Sequence, residues 1–176
     1  MTLALPAAVF AIVFLFMLIE VRRASRNERA QRAKGGVEPA GDVYKVMRIT
    51  YPAAFLAMIA EGAVRGTPAL SFVATGAALF VLAKAIKWWA ILSLGRFWTF
   101  RVIVVPGASL VAWGPYRYVH HPNYIAVAGE LAAVALMTGA RVAGPLAAVG
   151  FGLLMRKRIA VEERALAGPN PGVRPK

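Results

Sequence analysis

Long uncharged apolar segments, separated by basic connections, make up most of the chain. The apolar pattern predicts five helices, over residues 3–19, 49–64, 68–94, 122–140 and 142–155. At about 1.5 Å of rise per residue most of them can cross a bilayer, whereas the last is too short to cross about 30 Å unaided. We therefore predict an all-α integral membrane protein with five transmembrane helices, the last two forming a helical hairpin around residues 139–141.

The basic residues of the connections indicate how these helices are oriented. Of 21 Lys and Arg, eight lie between the first two segments, five at the end of the third segment and in the loop after it, and six in the tail, including Arg174 and Lys176. Only Arg65 and Arg141 lie in the two short loops on the other side. Because basic residues accumulate on the cytoplasmic side, we predict an outside N-terminus and a cytoplasmic long loop and tail.

Composition excludes a soluble enzyme. Of the 176 residues, 59% are hydrophobic and 16% are charged, whereas about a quarter are charged in soluble domains. The net charge of +13 would suggest nucleic acid for a soluble protein, but these basic residues border apolar spans, where they set topology and contact anionic lipids. No nucleic-acid partner is expected. The absence of cysteine excludes disulfides, thiolate nucleophiles and Cys-ligated metal centres.

The loop over residues 95–124 is rich in aromatic residues, Gly and Pro, which favours an ordered and functional segment. Pro122 suits the first turn of a helix. His120 and His121 precede that turn, where free backbone N–H groups can hold a carboxylate-bearing ligand, or they are interfacial polar residues that cap the helix. Adjacent helical residues point about 100° apart, so the pair cannot ligate one haem iron. Zinc would need more ligands, and no metal site is predicted.

Charged residues inside the apolar segments form a second group of candidates. Glu130 lies at mid-span, where a carboxylate has a buried partner or a function, or is held neutral by burial. Glu61 and Arg65 have the spacing of an ion pair on a helix surface. Lys84 and Lys87 are expected to extend their ammonium groups towards the membrane surface.

The tail reads RKRIAVEERALAG from Arg156, which predicts a short amphipathic helix over residues 156–166. Arg158 and Glu162 stand at i, i+4 on one face of this helix. By itself such a segment is typical of a helix that lies on a membrane surface.

The segments GPYRYVHHPNY and RIAVEERAL, separated by a hydrophobic hairpin, resemble the membrane methyltransferases related to isoprenylcysteine carboxyl methyltransferase and to phospholipid N-methyltransferases. The family pattern is G-x-Y-x-x-x-R-H-P-x-Y, followed after two helices by R-x-x-x-E-E. The resemblance covers residues 94–166. The upstream segment RNERAQRAKGGVEPAGDVYKVMRITYPAAF also resembles a bacterial branch assigned to O-methylation of alkylpyrones or alkylresorcinols.

This resemblance implies one membrane methyltransferase domain over residues 1–176, with a catalytic region formed by residues 95–124 and 156–166. It implies S-adenosylmethionine as the cofactor without a dinucleotide-binding fold, and the sequence has no strand-Gly-x-Gly-x-x-Gly-helix unit. The implied cofactor-binding residues are Tyr116, His121, Pro122, Tyr124 and Glu163.

The same resemblance places Glu162 beside the cofactor and lets Arg158 orient a cofactor or substrate carboxylate. One position departs from the family pattern, because the Arg before His-Pro is His120 here, so a permanent cation becomes titratable. Glu130, Glu162 or His120 could assist removal of a proton from the acceptor. These three residues and Arg158 are the candidate catalytic residues.

The expected partner is a lipophilic small molecule that carries a carboxylate or a phenol or enol hydroxyl, in contact with membrane lipids. A hydroxy-pyrone or phenolic polyketide is favoured over a prenylated cysteine, and phospholipid and thiol acceptors stay open. The expected location is a bacterial inner membrane, with the active site facing the cytoplasm. Two alternatives have no cofactor: a transporter that uses Glu61 and Glu130, and a structural subunit that uses the small residues of the third segment.

Overall fold

The computed structural model describes residues 3–166 and consists of five α-helices. They are α1 (Ala4–Arg32), α2 (Tyr44–Arg65), α3 (Leu70–Leu94), α4 (Pro122–Thr138) and α5 (Ala143–Leu166). Short 3-10 turns at Gly95–Phe97 and Gly114–Arg117 follow α3. Within the described range no β-strand forms, and Val37 and Val104 make one isolated antiparallel pairing. The all-α prediction is confirmed; Arg174 and Lys176 lie outside the described residues.

Two helices extend beyond the predicted apolar spans. The first helix does not stop at residue 19 but continues to Arg32, because Glu20, Ala24, Asn27 and Gln31 extend its buried face at helical spacing. The predicted segments 142–155 and 156–166 are one continuous helix, α5. No Gly or Pro stands between its apolar half and its charged half to end it.

Two helical stretches are long and apolar enough to cross a membrane, Ala4–Arg32 and Leu70–Phe97, and Pro122–Thr138 is a shorter apolar helix. All five predicted segments are helical. By length and composition, two of the helices are candidate membrane spans. The shared core lies where α1 to α5 meet, around Phe55, Met58, Phe80, Leu131 and Val134.

Close helix packing in this core depends on two glycines. A Cβ atom on Gly76 of α3 would lie 2.7 Å from the Ala133 carbonyl oxygen of α4. A Cβ atom on Gly62 of α2 would lie 2.6 Å from the carbonyl oxygen of Thr138. Inside a bilayer the hydrophobic effect does not drive helices together, so they associate through small residues that let their backbones approach closely. The two glycines bring α2 and α3 against α4.

The turn between α4 and α5 confirms the predicted hairpin. Gly139 ends α4 in the left-handed conformation, with φ 67°. The predicted Glu61–Arg65 ion pair is present at 2.7 Å. Glu61 also accepts hydrogen bonds from the backbone N–H groups of Val142 and Ala143, the latter at 2.7 Å. The carboxylate of α2 therefore fixes the N-terminus of α5 as well.

Candidate functional site

The two sequence motifs meet where the N-terminus of α4 lies beside the second half of α5. His121 Nε2 lies 3.3 Å from Glu163 Oε1, and His121 Nδ1 lies 3.9 Å from Glu162 Oε2. The Tyr124 hydroxyl donates a hydrogen bond of 2.7 Å to Glu162 Oε2. Arg158 Nε in turn donates to the Tyr124 hydroxyl at 3.0 Å. Five of the nine predicted site residues thus form one connected group, which we call the motif cluster.

The remaining candidates from the long loop lie around this cluster with different exposure. Tyr116 is half-buried in the Gly114–Arg117 turn. Burial, and then the negative charge of nearby Glu162, raises the pKa of its phenol, which therefore stays protonated. Pro122 is buried at the first turn of α4, and His120 is exposed.

The capping interpretation of the histidines is not supported for the residue at the helix start. His121 occupies the N-cap position of α4, but its side chain makes no capping hydrogen bond. Instead, both ring nitrogens face carboxylates of α5. The imidazole is therefore oriented by the second motif.

The turn that carries Tyr116 requires glycine at its start. Gly114 has a φ of 65°, in the left-handed region, and a Cβ atom there would lie 2.1 Å from the Ser93 hydroxyl oxygen of α3. Near this turn the ring of Trp89, from α3, also lies beside the ring of Tyr118, with the ring centroids 6.5 Å apart. The first motif is thus held against the end of α3.

One residue of the site, Asp42, was not predicted from the sequence. Arg158 Nη1 donates a hydrogen bond of 3.0 Å to Asp42 Oδ1, and these side chains are 8% and 2% exposed. Asp42 lies in the connection between α1 and α2, far from both motifs in sequence. No motif marked it, because its contact with Arg158 joins residues more than a hundred positions apart.

Glu130 does not join the motif cluster but belongs to a second group inside the helix bundle. Lys84 Nζ lies 2.8 Å from a Glu20 oxygen and 3.0 Å from a Glu130 oxygen. Lys87 Nζ lies 2.7 Å from the other Glu20 oxygen and 3.2 Å from the other Glu130 oxygen. The Tyr51 hydroxyl also donates to Glu130. We call Glu20, Lys84, Lys87 and Glu130 the four-charge cluster.

The prediction that Lys84 and Lys87 extend to the membrane surface is wrong. Both are buried, at 8% and 2% side-chain exposure, because two carboxylates inside the bundle neutralise them. The rings of Phe16 and Phe80 also lie 4.8 and 5.5 Å from Lys84 Nζ. The four-charge cluster therefore links α1, α3 and α4 through oppositely charged side chains.

Two surface cavities formed by described residues lie away from the motif cluster. An open groove of about 580 Å³ lies beside Glu61, Arg65 and Leu146, at the end of α2 opposite to the motif cluster. A cavity of about 310 Å³ lies beside Gln31, Arg96 and Pro106. Neither of these two cavities is lined by residues of the motif cluster.

Both motifs lie in the part of the chain that matches a known family. Residues 76–168 match the isoprenylcysteine carboxyl methyltransferase (ICMT) family. The chain belongs to this family of membrane methyltransferases. Membership confirms the resemblance deduced from the two motifs and supports methyltransferase activity, while it does not show the alkylpyrone branch.

Two curated bacterial relatives cover nearly the whole chain. The uncharacterized protein YpbQ of Bacillus subtilis is 31% identical over 89% of this chain and 93% of its own length. An uncharacterized protein of Haemophilus influenzae is 26% identical over 92% of both chains. No solved structure matches the chain significantly. These relatives extend the similarity to the first two helices, and neither name states a substrate.

Proposed function

We propose that the protein transfers a methyl group from S-adenosylmethionine to a carboxylate or a phenol or enol hydroxyl of a lipophilic small molecule. The observation that carries the proposal is the motif cluster. Two segments more than thirty residues apart bring together an imidazole, a phenol, a guanidinium and two carboxylates, with hydrogen-bond contacts of 2.7, 3.0 and 3.3 Å among them. Both segments lie in the family region.

The chemistry of these side chains suits the proposed cofactor. The amino-acid end of S-adenosylmethionine carries an ammonium group and a carboxylate, next to a sulfonium cation. Glu163 is 64% exposed and Glu162 is 32% exposed, so both carboxylates are accessible to a cationic group. The rings of Tyr116 and Tyr124 offer aromatic faces for a sulfonium or a base. His121 and Pro122 would complete the site at the start of α4.

The guanidinium of Arg158 uses two of its three nitrogens for hydrogen bonds to other described residues. Its Nε donates to Tyr124 and its Nη1 to Asp42, while among residues 3–166 Nη2 donates to no protein acceptor. A guanidinium carries five N–H donors in a rigid fork. We infer that Nη2 receives the cofactor carboxylate, and that the two protein contacts fix its direction.

When bound, S-adenosylmethionine supplies an electrophilic methyl group, and the protein must align the acceptor and exclude water. A phenol or enol acceptor must also lose a proton, whereas a carboxylate need not. We assign the proton acceptor to Glu162, which lies in the motif cluster, and place exposed His120 at the entrance for the acceptor.

Glu130, the third candidate base, is better suited to a structural role. Its carboxylate is 2% exposed and is held by Lys84, Lys87 and Tyr51. It also stands six residues beyond Tyr124, about 9 Å along α4. The transporter alternative required Glu61 and Glu130 to be available, and both carboxylates already have protein partners.

The proposed topology is five membrane crossings, with the motif cluster on the cytoplasmic face of a bacterial inner membrane. The basic residues support it, because the connections at the motif-cluster end carry most of them. A lipophilic acceptor would then enter sideways from the bilayer and the cofactor from the cytoplasm.

The proposal predicts transfer of radiolabel from methyl-labelled S-adenosylmethionine to an amphipathic O-acceptor. The protein is reconstituted in vesicles and offered an alkylpyrone, an alkylresorcinol, a prenylated cysteine analogue and phosphatidylethanolamine. We expect label in one of the first three, lost in the Glu163→Ala variant and retained in Arg141→Ala, at the opposite end of the bundle. Label in phosphatidylethanolamine alone would replace O-methylation by N-methylation of a phospholipid.

A further inference from the structure

We propose that Asp42 is a positioning residue for the methyl-transfer site: it holds Arg158 in the orientation that receives the carboxylate of the ligand. The inference rests on the proposed function. It adds to the site a residue from the connection between α1 and α2, which precedes the region 76–168 that matches the family.

Asp42 is tied to three separate parts of the chain. Its Oδ1 accepts hydrogen bonds from Arg158 Nη1 and from the backbone N–H of Tyr44, both at 3.0 Å. Its Oδ2 accepts from the backbone N–H of Val102, also at 3.0 Å. The carboxylate is therefore fixed by the start of α2 and by the long loop, and its only side-chain donor among the described residues is Arg158.

The Asp42–Arg158 contact continues directly into the motif cluster. Arg158 contacts Tyr124, and Tyr124 contacts Glu162. With Nη1 held by Asp42 and Nε held by Tyr124, the plane of the guanidinium cannot rotate without breaking a hydrogen bond. Burial strengthens this restraint, because a charge-assisted bond away from water is strong and an unpaired buried charge is costly.

Comparison with a neighbouring carboxylate distinguishes the orientation of Arg158 from simple attachment of the connection to the long loop. Glu38 lies in the same connection and pairs with Arg101 at 2.8 Å and with Arg32 at 2.8 Å. Partial burial works against its charge, but hydrogen bonds from the two arginines hold the pKa of Glu38 below its usual value. Glu38 therefore fastens the connection to the long loop, one residue from Val102, without contacting the motif cluster.

The test is equilibrium binding of S-adenosylhomocysteine to the full chain in detergent. It compares wild type, Asp42→Asn, Arg158→Lys, the double variant and Glu38→Gln. We expect Asp42→Asn to weaken binding roughly tenfold to a hundredfold, by the loss of one charge-assisted contact. We expect the double variant to bind no more weakly than Arg158→Lys alone, because residues that act as one unit are not additive. Glu38→Gln should keep the wild-type affinity.

Three results overturn the inference: wild-type affinity in Asp42→Asn, additive losses in the double variant, or an equal loss in Glu38→Gln. If Asp42→Asn does not fold, the same cycle is measured with Asp42→Glu, which retains the charge and should bind more tightly than Arg158→Lys. Failure of folded wild type to bind is a different outcome. It overturns the proposed function, and the role of Asp42 falls with it.

Discussion

Replacement of Lys87 by methionine should lower the free energy of unfolding by about 3–5 kcal/mol, the usual cost of removing one partner from a buried ion pair. Lys87 is 2% exposed and lies between Glu20 and Glu130, at 2.7 and 3.2 Å. Its loss leaves two buried carboxylates with Lys84 as their one remaining cation in the cluster. Equilibrium unfolding in mixed detergent micelles measures the change, and Lys45→Met, at an exposed position, is the matched control.

The double variant Lys87→Met with Glu130→Gln distinguishes charge imbalance from lost packing. It removes one positive and one negative charge, so the cluster stays neutral, and part of the lost stability should return. A loss below about 1 kcal/mol in Lys87→Met, within the range of surface ion pairs, would contradict a buried and dry cluster.

Replacement of Arg158 by lysine should reduce kcat/KM for methyl transfer roughly a hundredfold or more, a loss comparable to that of one preorganised donor in an active site. Lysine retains the positive charge but has one nitrogen on a flexible stem. It cannot contact Asp42 and Tyr124 together and still present a donor to a ligand. Label transfer in vesicles measures the effect.

Arg156→Lys is the control for this substitution, because Arg156 is exposed on the same helix, and it should keep wild-type activity. If the two variants had equal activity, a rigid guanidinium would not be needed. A loss in Arg158→Lys together with a collapse of thermal stability would instead indicate that the residue serves mainly to hold the fold.

The spacing of residues along the chain predicted those parts of the structure that depend on interactions between nearby residues. The five apolar segments are helices, Pro122 begins α4, and Glu61 pairs with Arg65 four residues later. The proximity of His121 and Tyr124 to the second motif was implied by the family resemblance, and the structure places them there.

Contacts between distant segments could not be read in the same way. Lys84 and Lys87 sit near the end of an apolar run, and the sequence alone does not reveal that Glu20 and Glu130 face them from two other helices. The role of Asp42 could not be predicted either, because a single acidic residue in a basic connection forms no recognisable sequence motif. The part of α1 beyond residue 19 is also held by a distant contact, because Asn27 donates to the backbone carbonyl of Trp98 at 2.8 Å.

The shared helix α4 connects the two charged groups of the molecule. Tyr124 at its start belongs to the motif cluster, and Glu130, at its middle, belongs to the four-charge cluster. Because Glu130 is bound by Lys84 and Lys87 of α3 and by Tyr51 of α2, it fixes the rotation of the helix that presents His121 and Tyr124 to α5. Loss of the four-charge cluster should therefore disturb the site as well as the fold.

The most direct test of the proposed cofactor site is equilibrium binding of S-adenosylhomocysteine to the detergent-purified protein, compared with His121→Ala and Glu163→Ala. Glu163 is largely exposed, so its substitution should leave the fold intact. We expect binding in the micromolar range for wild type and its loss in both variants. Absence of binding by folded wild type, or full affinity in both variants, would contradict a cofactor site between α4 and α5.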